Sequence, residues 1–192
     1  VTIPANTVQG DSLALIAIRR NINSWEEYEV SERMEHWEGV TVWKSGPNKG
    51  RVRSASFALF DTKEELPYEV QYLTAAEELY FFGNSNSFLK DLDPGEYITT
   101  LTNLKRLTIG AYGLNTIPDS FKNLSNLEML DLSANNFQKI PEIITPENFP
   151  NLRSLYLNTN TRRTIYDLKN TIYENYGGLV DETPADAEGK RT

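Results

Sequence analysis

The feature that most constrains this chain is one apolar spacing that recurs five times. Its clearest copy reads Leu127, Leu130, Leu132, Asn135, Phe137, Ile140, Pro141, an LxxLxLxxNxF stretch followed by xxIP. The copy before it reads Leu104, Leu107, Ile109, Tyr112, Leu114, Ile117, Pro118, and the copy after it Leu152, Leu155, Leu157, Asn160. Two looser copies lie upstream: Ala76, Leu79, Phe81, Asn84, and Val52, Ala55, Phe57 with Leu66-Pro67 closing it. The first positions, 52, 76, 104, 127 and 152, stand 24, 28, 23 and 25 residues apart. Leu73, Leu101, Leu124 and Phe149 each precede a copy by three positions, and the tetrads LTNL, LSNL and FPNL read as one element repeated. A period of this size means stacked units, none of which can bury its apolar face alone.

Inside a unit, the two outer residues of LxL share one face of a strand. Strands of successive units then pair in parallel and line one wall. The next apolar residue and the xxIP step carry the chain across the core. The Asn is polar yet belongs inside, where its amide can bond the backbone of its own turn and of the neighbouring unit; left unpaired, such a group would cost about 1–3 kcal/mol. Tyr112 and Phe60 occupy the Asn position in their units. Those two turns need another way to satisfy their backbone, and local irregularity is expected there.

This repeat resembles that of leucine-rich-repeat proteins, and more narrowly the subtype with an LxxIP step found in plant receptors. The N-terminal part extends the resemblance. The caps of those receptors place an Asp, an apolar helix, a Trp, a CxWxGVxC stretch and a GRV in that order. The chain carries Asp11-Ser12-Leu13-Ala14-Leu15-Ile16-Ala17-Ile18, then Trp25, then Trp37-Glu38-Gly39-Val40-Thr41-Val42, then Gly50-Arg51-Val52. The two family cysteines fall on Glu35 and Val42, so the cap disulfide is absent. The resemblance covers about residues 11–165. It implies an α/β chain: a short right-handed leucine-rich-repeat solenoid with a parallel concave sheet, a helical N-terminal cap and a C-terminal helix. It divides the chain into a cap over 1–50, about five repeats over 51–165, a capping helix over 166–180 and a polar tail or linker over 181–192. With its disulfide missing, the cap is similar to those of bacterial extracytoplasmic proteins of this type, secreted or anchored at the cell surface.

The ends have their own logic. A solenoid exposes an apolar cross-section that a cap must cover. Asp11 or Ser12 can N-cap the first helix. Leu13, Ile16 and Ala17 recur at helical spacing, and Arg19 and Arg20 near the helix end suit its dipole. Trp25, Trp37 and Trp43, all the tryptophans of the chain, are expected to seal the first repeat. Ile165, Leu168, Ile172 and Tyr176 predict a helix over 164–176 ended by Gly177-Gly178. The opening on Val1 fits a processed form or a piece of a longer protein.

Composition excludes several functions. The chain has 192 residues, no cysteine and a net charge of −8. Thiolate metal sites and cysteine nucleophiles are excluded. The acidity disfavours nucleic acid, whose binder needs a basic face, and anionic membrane. No segment approaches the ~18 apolar residues of a membrane helix. The single His36 has no recognisable catalytic partner, and Gly46-Pro47-Asn48-Lys49-Gly50 is a hairpin-like turn and not a phosphate loop. Asp91-Leu92-Asp93 is too short for a calcium loop, and the acidic pairs Glu26-Glu27 and Glu64-Glu65 are not matched across a cleft. Asn123-Leu124-Ser125 matches the glycosylation triplet, to which a bacterial protein gives no weight. No enzyme, cofactor or metal site is expected.

A binding site is expected on the concave wall instead. The residues inside each LxL, Ser56, Tyr80, Thr108, Asp131 and Tyr156, should point to solvent. So should those just after it, Ala58, Phe82, Gly110, Ser133 and Asn158. Tyr80 and Phe82 should stand exposed on one strand and Tyr156 two or three strands away, with Arg106 and Asp131 adding polar recognition. Exposed aromatics on a rigid sheet anchor interfaces or stack on sugar rings; they can also merely pack on each other across strands. The chain is therefore read as a recognition module for a protein or glycan, or else as a spacer or accessory domain of a larger surface protein.

Overall fold

A computed structural model of the chain describes residues 2–21, 33–60, 65–83, 92–137, 139–157, 160 and 180–181. Helix α1 spans Val8–Asn21. The strands are β1 (Val40–Val42), β2 (Val52–Phe60), β3 (Glu78–Gly83), β4 (Arg106–Gly110), β5 (Met129–Asp131), β6 (Ser154–Tyr156) and β7 (Val180–Asp181). Among the described residues they form one sheet in chain order. β1 and β2 pair antiparallel through the Gly46–Gly50 hairpin, where Gly46 and Gly50 take φ of 77° and 82° that glycine adopts without strain. Every later pair is parallel.

The register is the one the sequence spacing demands. Ala55, Leu79, Leu107, Leu130 and Leu155 stand side by side across β2 to β6. Phe57, Phe81 and Ile109 form the next rank, with the Phe57 and Phe81 rings stacked at 4.9 Å. All are buried, and each of the large side chains contributes about 1.5–3 kcal/mol. The irregularity expected at Phe60 takes the form of a register shift between Ala58 and Phe60.

The opposite wall is made of 3-10 turns at Tyr68–Tyr72, Ile98–Thr100 and Asp119–Asn123. The proline of the closing step starts such turns. Pro67 and Pro118 have φ of −56° and −70°, near the value the ring imposes, and their carbonyls accept from the amides of Val70 and Phe121. Pro141 accepts from Ile144 in the same way. Leu73, Leu101, Leu124 and Phe149 plug the space behind these turns. Each carbonyl receives the amide of the residue that opens the next repeat, Ala76, Leu104, Leu127 and Leu152.

The asparagine ladder solves the turn problem raised by Tyr112. Asn135 donates through Nδ2 to the carbonyls of Ile109, Leu132 and Ser133. Its Oδ1 accepts from the amides of Tyr112 and Leu114 in the repeat before it. The unit lacking its own Asn is thus served by the next one, and buried Tyr112 fills the position. Asn160 repeats the pattern, accepting from Phe137 and donating to Leu132 and Leu157.

The cap departs from expectation in two ways. The residue capping α1 is Thr7, whose Oγ1 accepts from the Gly10 amide at 2.8 Å, and neither Asp11 nor Ser12 does so. The buried face of α1 carries Asp11, Ala14, Leu15 and Ile18, while Leu13, Ile16 and Ala17 are half-buried. The helix is rotated because Asp11 points inward to Arg51. Trp37 is buried, and Trp43 donates through Nε1 to the Ala75 carbonyl; Trp25 lies outside the described residues. At the two positions of the missing cysteines, Glu35 bonds Lys44 at 2.9 Å and Val42 is buried. The expected C-terminal helix over 164–176 also lies outside the described residues; beyond it, Val180–Asp181 pairs in parallel with β6.

Candidate functional site

The outward face of the ladder presents three rows of side chains. The first row reads Ser54, Glu78, Arg106, Met129, Ser154; the second Ser56, Tyr80, Thr108, Asp131, Tyr156; the third Ala58, Phe82, Gly110. Tyr80, Phe82, Arg106, Asp131 and Tyr156 all lie on this one wall, and their spacing follows from parallel pairing. Tyr80 and Tyr156 occupy the same row three strands apart, about 14 Å at the usual strand separation.

The aromatics are less exposed than expected. Tyr80 and Phe82 stack on each other at 5.9 Å and 13°, and both are half-buried. The reason is the glycine beside them. A Cβ at Gly110 would lie 2.5 Å from Phe82 Cε2, so the Phe82 ring occupies the side-chain space that Gly110 leaves. Thr108 and Ser133, expected to face solvent, are 3% and 7% exposed. Thr108 is the short member of its row, between Tyr80 and Asp131, and is covered by larger neighbours. Burial pushes the Tyr80 hydroxyl above the usual tyrosine range, and the Asp131 charge adds to it. A phenolate there would lose water and gain a repelling neighbour.

The polar members divide in role. Exposed Arg106 points Nε to Glu78 at 3.6 Å, an ion pair across β3 and β4. Asp131 Oδ1 accepts from the Ser133 amide at 2.9 Å, which tightens the turn after β5. Tyr156 is half-buried and stands directly across from Asp131.

One position upstream of the first row lies a pattern that attention to LxL alone passes over. Arg53, Glu77, Lys105, Glu128 and Arg153 follow one another across the strands, each amide bonding the carbonyl of the one before. Their charges alternate. Glu77 takes Lys105 at 2.8 Å and Arg53 at 3.2 Å, and the Arg53 guanidinium lies 5.0 Å over the Trp43 ring. The bond from Lys105, and after it that from Arg53, holds the Glu77 carboxyl below its usual range. The signal in the sequence is one charged residue at the same phase in each repeat. A second such ladder links the tetrads: Asn103, Asn126 and Asn151 donate through Nδ2 to the carbonyls of Thr74, Thr102 and Ser125.

Among the described residues no three acidic or histidine side chains are grouped to hold a metal ion, and no helix is long and apolar enough to cross a membrane.

Known proteins share this architecture. Residues 125–170 match the family described as Leucine Rich repeats (2 copies). No curated protein sequence matches the chain. Among solved structures, a plant ice-binding protein aligns at TM-score 0.62 and 25% identity over 78% of this chain and 48% of its own. The ectodomain of the Arabidopsis thaliana membrane receptor kinase GASSHO1/SCHENGEN3, solved with CASPARIAN STRIP INTEGRITY FACTOR 2, aligns at 0.60 and 20% identity over 78% of this chain and 18% of its own. The ectodomain of the Arabidopsis thaliana receptor kinase SOBIR1 aligns at 0.53 and 21% identity over 78% and 79%. The chain thus spans about half of the ice-binding protein and under a fifth of the GASSHO1/SCHENGEN3 ectodomain. The recurring strand, the buried Asn135 and Asn160 beneath their turns, and the neighbours that share this architecture give the chain the fold of leucine-rich-repeat proteins, with residues 125–170 matching the repeat itself.

Proposed function

We propose that this chain is a non-catalytic recognition module that binds a protein or carbohydrate partner on its concave wall, through Tyr80, Phe82, Arg106, Asp131 and Tyr156. The observation that carries the reading is the stacked Tyr80–Phe82 pair, half-exposed on a rigid parallel ladder and held in place by Gly110. Such a pair offers apolar area at little entropic cost, because the sheet has already ordered it. The wall changes chemistry from strand to strand, from Tyr80 to Thr108 to Asp131, which favours a shaped ligand over a repeating lattice. The GASSHO1/SCHENGEN3 ectodomain, built on the same fold, was solved in complex with CASPARIAN STRIP INTEGRITY FACTOR 2, and that supports a recognition role for the present chain.

The division into a cap over 1–50, repeats over 51–165, a capping helix over 166–180 and a tail belongs to this reading. So does an extracytoplasmic, bacterial setting, supported by the receptor-like cap that dispenses with its disulfide. The second reading, a spacer or accessory domain, draws on the charge ladder, in which Arg53 and Lys105 both pair with Glu77 within the chain.

The test is a glycan-array and pull-down screen with the intact chain, followed by Tyr80→Ala with Tyr156→Ala on the partner found. Binding should weaken at least about tenfold. Unchanged affinity in a folded double variant would move the site off this wall.

A further inference from the structure

We propose that the Asp131 carboxylate, bracketed by Tyr80 and Tyr156, seats the arginine or lysine side chain of an extended partner segment lying across β3 to β6. This rests on the concave-wall reading and deepens it. Asp131 and Tyr156 are register partners on adjacent strands. Tyr80 stands on the other side, separated only by covered Thr108, and feels the Asp131 charge. The wall therefore holds a carboxylate between two aromatic rings.

That carboxylate has room for a cation. The other charges on these rows, Glu78 and Arg106, pair with each other. Asp131 receives the Ser133 amide on one oxygen, and among the described residues no Lys or Arg lies in ion-pair range of it. A half-buried anion beside aromatic rings is complemented by a cation that can donate to the carboxylate and lie against the rings. The chain's net charge of −8 draws a basic partner toward it. The span from Tyr80 to Tyr156, about 14 Å, matches about four residues of extended chain, so the basic residue belongs in the middle of such a segment.

The experiment uses the full chain, labelled with 15N, and four capped hexapeptides that differ only in a central Arg, Lys, citrulline or Glu. Amide shifts are followed during titration, with Asp131→Asn as the variant. The carboxamide in that variant keeps an oxygen for the Ser133 amide, and an unchanged spectrum away from the wall shows that it folds. The expected result is perturbation of Tyr80, Thr108, Asp131 and Tyr156 by the Arg and Lys peptides. Binding should weaken about tenfold with citrulline or with D131N, and it should fall with added salt. Shifts on the wall that ignore the central charge would overturn the cation seat and leave the concave-wall reading standing. Shifts confined to other faces would overturn the seat and move peptide recognition off this wall. No perturbation by any peptide at millimolar concentration would overturn the seat alone, since a glycan could still occupy the wall.

Discussion

Arg51 donates two hydrogen bonds to Asp11, from Nε to Oδ2 at 2.8 Å and from Nη2 to Oδ1 at 2.7 Å, and so ties the cap helix to the first repeat. Both side chains are buried, at 7% and 0% exposure. Asp11 Oδ2 also accepts from the amide of Val52, the first residue of β2, at 2.7 Å. Arg51 continues to the Thr74 hydroxyl at 3.0 Å, which in turn donates to Asn6. One carboxylate therefore satisfies the helix-to-sheet joint from both sides.

Removing either member strands the other in the interior. Asp11→Ala and Arg51→Ala should each destabilise the chain by about 3–5 kcal/mol, read as a fall in the urea midpoint. A loss under about 1 kcal/mol would show that the joint is held by apolar contacts alone.

Asn135→Ala should be among the most damaging single changes in the repeats. It leaves the amides of Tyr112 and Leu114 without their acceptor and takes a donor from the Ile109 carbonyl, while the carbonyls of Leu132 and Ser133 keep bonds from Asn160 and from the Ala111 amide. At about 1–3 kcal/mol for each buried group left unmet, several kcal/mol are at stake. Hydrogen exchange at Tyr112 and Leu114 should accelerate most, since the defect opens there. Uniform acceleration across the chain would argue against a local role.

Ala134 should tolerate glycine with a gain. Its φ is 55°, and Ala111 at the same phase of the previous repeat has φ 61°. The left-handed region costs a non-glycine residue about 1–2 kcal/mol, partly offset by the extra freedom glycine brings to the unfolded chain. Ala134→Gly should raise stability by about 0.5 kcal/mol, visible as a higher melting temperature. A lower one would show that the Ala134 methyl matters more for packing than for strain.

Acid should weaken the chain partly through Glu77. Its carboxyl is held below the usual range by Lys105 and then Arg53. A depressed folded value means stabilisation that is full above the unfolded carboxylate range and lost as pH falls through the folded value. Stability of the wild type relative to Glu77→Gln should therefore shrink between about pH 6 and pH 3, by under about 1 kcal/mol because the cluster is wet. A constant difference over that range would mean that the ion pairs contribute nothing measurable.

The repeat units are legible in the sequence because burial is periodic. Leu79, Leu107, Leu130 and Leu155 must all face inward, and only one phase of the chain puts them there. The concave residues are legible for the same reason, as whatever alternates with the ladder points away. Their exposure is not. Thr108 is covered because Tyr80 and Asp131 are its neighbours in space, and Phe82 leans over because Gly110 is empty, and both facts join residues more than 20 positions apart. Asp11 reads locally as a helix cap because local rules see only the first turn, while its partner Arg51 is 40 residues on.

By itself the sequence determined the period, the strand phase, the inward leucines and the buried role of Asn135 and Asn160, since these follow from hydrophobic spacing and local hydrogen-bonding need. The tertiary structure alone decided which carboxylates would be paired. Among the described residues, Glu77, Glu78 and Asp11 found cations on neighbouring elements, and Asp131 did not. Charge pairing acts through space between strands about 5 Å apart, a proximity that the chain acquires only when its repeats stack.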